Sequence, residues 1–264
     1  ADDGENTYAG YYAGNSLAND GSQNTFYGYY AGQAVTTGDR NTCIGKEAGK
    51  TVVTGSDGVY IGYRAGRVTT VSDTVAIGSS ALKELTTGLY NNAIGKSALK
   101  ETTTGQGNTG FGKDVLESNT TGSNSVAIGH EALNANTTSS NVVAIGAEAL
   151  KTGTSGISFS TAVGYRALEL ATGSSNDAFG HKALENLTTA TSNVAIGRNA
   201  LHGATTASGN TCVGFYAGAT SPTTGTNNIV IGKEANASNS SVSNEITLGN
   251  TSITKFRIPG INFT

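Results

Sequence analysis

One short pattern, Asn-x-x-[Ile/Val/Phe]-Gly-x-x-Ala-[Leu/Gly], recurs along the whole chain and decides what it can fold into. Typical copies are Asn91 to Leu99, Ser125 to Leu133 and Asn193 to Leu201. The anchoring glycines are Gly10, Gly28, Gly45, Gly62, Gly78, Gly95, Gly112, Gly129, Gly146, Gly164, Gly180, Gly197, Gly214, Gly232 and Gly249. Those fifteen positions are separated by steps of 16, 17 or 18 residues. A period held this tightly describes a solenoid, in which each repeat packs only on its neighbours. It overrides the one or two globular domains that 264 residues would otherwise suggest.

The residue before each glycine is apolar throughout, from Ala9 and Tyr27 through Ile44, Ile94, Phe111 and Ile196 to Leu248. Two residues earlier the chain carries Thr or a β-branched aliphatic, with Asn92 and Asp177 as the exceptions. Positions two apart share one face of a strand, and β-branching suits a strand. The expectation is a strand of about four residues with these two columns facing the core. The position between them is small in mid-chain: Ala76, Ala93, Gly110, Ala127, Ala144, Ala162, Ala178 and Ala195. That column is expected to face a closely pressed neighbouring subunit, and the alanine three residues after the glycine, replaced only by Val115 and Ser252, to do the same.

After the glycine, a second strand or tight corner ending in leucine is expected in the middle repeats. Turns such as Thr103-Thr104-Gly105 and Thr120-Thr121-Gly122 follow. Asn residues four before the glycine, among them Asn24, Asn108 and Asn193, would stack as an amide ladder between coils. These asparagines suit a left-handed or Asx-turn conformation. In five repeats Ala-Leu is replaced by Ala-Gly, and those copies are rich in Tyr and Phe, so a ring is expected to fill the leucine's volume. Helical spacing is sustained nowhere. The fold class is therefore all-β, a parallel β-solenoid (β-roll or β-helix) of about fifteen 17-residue coils. The array occupies 1–249, and 250–264, with Pro259, reads as a C-terminal cap or the start of a following module.

Charged residues are only 13% of the chain and the net charge is −3, with no basic stripe, so nucleic acid is not an expected partner. No apolar run is long enough for a membrane-spanning helix. The chain contains no Met and starts at Ala1, which reads as a processed product or an excised fragment. Cys43 and Cys212 occupy the same slot ten repeats apart. At about 4.8 Å per coil they lie roughly 50 Å apart, too far for a disulfide, so both read as small buried side chains.

The repeat unit resembles that of trimeric autotransporter adhesin heads, which reads like Ser-Val-Ala-Ile-Gly-x-x-Ala and is matched at each of those positions by Ser125 to Ala132. The longer period, the Thr-Thr-Gly turns and the ending Asn244 to Thr254 are similar to bacteriophage tail-fibre and structural proteins. The resemblance implies a homotrimer, three β-solenoid chains about one axis, with a role in surface attachment. Other fibre or particle proteins at the ends and a host cell-surface glycan or protein would be its further partners. It places the chain in a virion tail fibre or otherwise outside the cell, or alternatively on a bacterial surface as an adhesin head.

Catalytic residues are not expected. His130 and His181 share a slot that elsewhere holds Lys96, Arg198 or Tyr165, the mark of a solvated flank rather than a triad. Asp2 and Asp3 read as terminal solvation. The Gly-Gly-x-Gly-x-Asp ladder of calcium-binding β-rolls is missing, and neither metal nor cofactor is expected from the sequence. The candidate ligand or partner patch is Tyr11, Tyr12, Tyr29, Tyr30, Tyr63 and Arg64, whose rings offer flat apolar faces with polar tips. Adjacent threonines point opposite ways, which disfavours a Thr-x-Thr ice-binding array.

Overall fold

The computed structural model describes residues 5–17 and 21–255 as fifteen three-residue strands, β1 (Thr7–Ala9) to β15 (Ile246–Leu248). Each strand pairs in parallel with the next in strict chain order, giving one fifteen-stranded sheet and fourteen coil-to-coil steps. Residues at the same place in the repeat face each other: Val126, Ala127 and Ile128 of β8 (Val126–Ile128) lie against Val143, Ala144 and Ile145 of β9 (Val143–Ile145). The chain is thus an all-β parallel solenoid. The strands are three residues long rather than four, and the segment expected as a possible second strand is turn throughout. Of the 250–264 cap only 250–255 is described; Asp2, Asp3 and Pro259 lie outside the described residues.

The coil from Ser125 to Asn141 shows how local chemistry closes each turn. Gly129 has a φ of +127°, a region that β-carbon-bearing residues avoid, and a β-carbon there would sit 2.7 Å from the carbonyl of Gly146. Only glycine fits, so the anchor column is fixed by geometry. Glu131 and Leu133 follow at φ +54°, bending the chain away from the sheet. The amides alternate in direction along the axis: Gly129, Glu131 and Asn141 donate to the preceding coil, while Val126, Leu133, Ala135 and Thr137 donate to the next. Backbone groups that a single coil cannot satisfy are therefore satisfied by its neighbours.

Burial is the reverse of what the β-branched columns suggested. The middle residue of each strand points inward, and Ala76, Ala93, Ala127, Ala144, Ala162, Ala178 and Ala195 are fully buried. The alanine three after the glycine is also core, packed within its own chain rather than against a subunit. A 17-residue coil encloses a space only one leucine wide. Leu99, Leu116, Leu133, Leu150, Leu168, Leu184 and Leu201 occupy it and leave room for no more than a methyl on the strand. At Gly110 even a methyl would lie 2.5 Å from Leu99 Cδ1 and require that side chain to move. The Ile, Val and Phe columns consequently face outward.

The Ala-Gly repeats keep the same volume by exchanging the two positions. Phe26, Cys43, Tyr60 and Cys212 sit inward on their strands, and glycine replaces leucine beside them. A β-carbon on Gly32 would meet the Phe26 ring at 2.6 Å, one on Gly66 the Tyr60 ring at 2.1 Å, and one on Gly49 the Cys43 Sγ at 2.5 Å. Compensation is real, but two rings and two thiols provide it. The other tyrosines of these repeats lie outside. Both cysteines are free and buried.

The asparagine ladder exists and is buried. Asn193 Nδ2 donates to the Ala207 carbonyl at 2.8 Å, and its Oδ1 accepts from the Asn210 amide at 3.0 Å. The same arrangement is made by Asn24, Asn41, Asn91, Asn108, Asn176, Asn210 and Asn228. The left-handed conformation expected of these asparagines falls instead on the residue before them, as at Gln23, Arg40 and Ser192.

Candidate functional site

Three surfaces of the solenoid carry features that its own folding does not use up. The first is the outer face of the sheet. Ile44, Phe111, Ile128, Ile145, Phe179 and Ile196 project from one column, with Phe111 54% exposed. Beside it runs the column of Thr42, Val59, Val75, Asn92, Thr109, Val126, Val143, Thr161, Asp177 and Val194. In-register pairing makes this a largely apolar strip along the sheet, one column of Ile, Val and Phe beside one in which valines are interspersed with threonines, one amide, Asn92, and one carboxylate, Asp177. Such a strip is not expected on the surface of a monomeric protein.

The second surface is the tyrosine patch. Tyr11 and Tyr29 stack at 5.5 Å between centroids, and Tyr12 and Tyr30 at 5.5 Å, so the four rings form a two-by-two block. Within each coil the paired rings meet edge to face, at 4.4 Å for Tyr11 with Tyr12 and 4.2 Å for Tyr29 with Tyr30. Lys46 Nζ lies 5.5 Å from the Tyr29 centroid and Lys50 Nζ 4.8 Å from that of Tyr30. A hydrogen bond with Tyr12, and secondarily burial, pushes the Tyr11 phenol up; Tyr29 does the same for Tyr30. Tyr63 is two coils beyond Tyr29 in the same column, with its own cation, Arg64, at 4.9 Å. The structure thus brings four of the six candidates together and sets Tyr63 and Arg64 further along. Tyr29 and Tyr30 have a ring on one side and a lysine near the other, whereas Tyr11, 61% exposed, and Tyr12 stack on one side only.

The third surface is the charged flank beside the anchor glycines. Glu47 is gripped by Arg64 at 2.9 Å and Arg67 at 3.0 Å. Burial pushes its carboxyl up, but hydrogen bonds from the two arginines outweigh this and leave it below the usual range. Asp114, His130 and Glu131 bring their ligand atoms within 4.8 Å of one another. Lys113 holds Asp114 at 2.8 Å and Lys151 holds Glu131 at 2.7 Å, so both carboxylates already have a cation. His202 contacts Glu185 at 2.8 Å, and His181 lies against Tyr165 at 5.3 Å. Among the described residues no histidine is hydrogen-bonded to a Ser, Thr or Cys nucleophile.

On the remaining edge, the first threonine of each pair donates its hydroxyl to the next coil: Thr86 Oγ1 to the Thr103 carbonyl at 2.9 Å, and Thr120 Oγ1 to that of Thr137 at 2.9 Å. These hydroxyls tie coils together rather than presenting a free lattice. No helix among the described residues is long and apolar enough to cross a membrane.

The site that sequence reasoning missed is the sheet face, because its residues were assigned to the interior. Only the conflict between small inward alanines and large β-branched neighbours could have revealed it. Compared with known proteins, the chain matches no family model, and no curated protein shows significant similarity to it.

Proposed function

We propose that this chain is a non-enzymatic fibre segment, the rigid shaft or head of a phage or phage-like tail fibre, and that it serves attachment to a host surface. Three copies associate through the outward Val, Ile and Phe columns. The observation that carries this reading is the exposed Ile, Val and Phe column that runs along the sheet, with a mixed Val and Thr column beside it. Fifteen strands spaced about 4.8 Å apart span about 70 Å, and two side-chain columns make the strip about 10 Å wide. Each copy would bury roughly 700 Å², or about 2,100 Å² over the three contacts of a trimer, so the strip alone gives each contact less than a standard interface and the flanking side chains must add to it. The resemblance of the repeat to trimeric adhesin heads supports three as the copy number.

The interface proposed here is the Ile and Val face, not the alanine face. Rigidity follows from the hydrogen bonds between every pair of coils and from the asparagine ladder. Light scattering on the purified chain tests the reading. The expected mass is three times 26.6 kDa, and the double variant Ile128→Glu/Ile145→Glu should give monomers that keep their β-sheet circular dichroism. A wild-type monomer would overturn the proposal.

A further inference from the structure

The charged flank and the tyrosine patch meet in the first four coils, and there the charges do not balance. Lys50, Arg64 and Arg67 converge on one carboxylate, Glu47. Lys46, beside it in the chain, has no ion pair among the described residues and lies against the Tyr29 ring. Further along the flank, Lys113 is matched by Asp114, Lys151 by Glu131 and Arg166 by Glu148. Both arginines reach Glu47 through Nε alone, and their Nη nitrogens make no hydrogen bond among the described residues. A guanidinium edge is a fork that fits a carboxylate. Cations gathered this closely repel one another until an anion joins them. Three of them also lie against rings: Lys46 on Tyr29, Lys50 on Tyr30 and Arg64 on Tyr63.

We propose that this flank binds an acidic polysaccharide, a polymer of uronic-acid sugars. The inference rests on the attachment reading above for its role, and it requires no particular number of copies. Lys46 and the free Nη edges of Arg64 and Arg67 pair with the carboxylates of the polymer. The phenol hydroxyls exchange hydrogen bonds with sugar hydroxyls, and the open face of Tyr11 receives a sugar ring. From the first coil to the fourth the surface runs about 14 Å, so it suits an oligosaccharide better than a single sugar. A nucleic-acid single strand needs a ring face for each successive base. Tyr11 and Tyr12, the open-faced rings of the block, stand at 85° to each other and cannot take two bases of one stack.

Isothermal titration calorimetry with short hyaluronan and polygalacturonate oligosaccharides tests the site on wild type, Lys46→Gln, Arg67→Gln and Tyr11→Ala. Maltodextrin serves as the neutral sugar and oligothymidylate as the nucleic acid. The expected result is that wild type binds an acidic oligosaccharide, more weakly as salt rises, and prefers it to maltodextrin. Lys46→Gln and Arg67→Gln should each weaken binding about tenfold, and Tyr11→Ala about fivefold. Circular dichroism should not change, because none of the three side chains belongs to the core. Binding of neither acidic oligosaccharide, or binding that all three variants leave intact, would overturn the site. Equal affinity for maltodextrin would overturn the acidic ligand class, and tighter binding of oligothymidylate would make the flank a nucleic-acid surface instead. Light scattering on the same samples reads the copy number, so a failed assembly and an unoccupied flank give different results.

Discussion

The exchange of volume between strand and turn can be tested at Tyr60 and Gly66. Tyr60 is fully buried, and a β-carbon on Gly66 would sit 2.1 Å from its Cδ1. Tyr60→Ala should cost about 3–5 kcal/mol through the void it leaves, together with the hydrogen bond to the Val71 carbonyl at 3.3 Å. Gly66→Leu should cost at least about 1–3 kcal/mol by overpacking. Its backbone penalty is small, since Gly66 has φ +54° and leucine holds the equivalent place at +46° to +54° in eight coils, from Leu82 to Leu201. The double variant rebuilds the arrangement of Ala76 with Leu82 and leaves only the part of the void over Gly49. It should lose about 2 kcal/mol, so the two substitutions should couple by about 2–6 kcal/mol. Because an array of repeats need not unfold all at once, the measurement is native-state hydrogen exchange of amides in the coils around residue 60. Additive losses in the double variant would refute the exchange of volume.

Three further outcomes follow from the same contacts. Asn193→Ala should strand a buried amide and a buried carbonyl and cost about 2–4 kcal/mol, while Asn193→Ser, the residue at the equivalent Ser125, should lose about half as much; urea midpoints measure both. Burial pushes both thiols up, Cys212 to about 12, so neither should react with a disulfide reagent at neutral pH until urea opens the coil. Glu47 titrates below the ordinary carboxylate value, so its contribution to stability is complete above that value and is lost as pH falls through the lowered one. Glu47→Gln should flatten that acid limb in a pH series of thermal melts.

Much of the architecture was legible because it depends on repetition. The glycine period gave the coil length, the parallel register and the buried asparagine ladder, and each is a consequence of placing identical residues in identical surroundings. Which face is inside was not legible. In most sheets β-branched residues mark the core, but here Leu133 enters the coil from the turn and leaves Ala127 as the largest residue the strand can point inward. The interior of a 17-residue coil is too narrow for both. The tyrosine patch was half legible: aromatic spacing brought Tyr11, Tyr12, Tyr29 and Tyr30 together, whereas the orientation of the rings, set by their stacking and by Lys46 and Lys50, depends on three-dimensional contacts. Asp177 looked like an exception in a core column and is instead at home on the outward face, half-buried on its strand.

The central claim is that the Ile and Val face joins the copies. Cysteine cross-linking tests it most directly, since Cys43 and Cys212 are buried and silent. A cysteine at Ile145 should link copies rapidly with a short thiol cross-linker, and one at the exposed edge residue Thr121 should not. Linking at Thr121 but not at Ile145 would show that the copies meet elsewhere and would contradict the account.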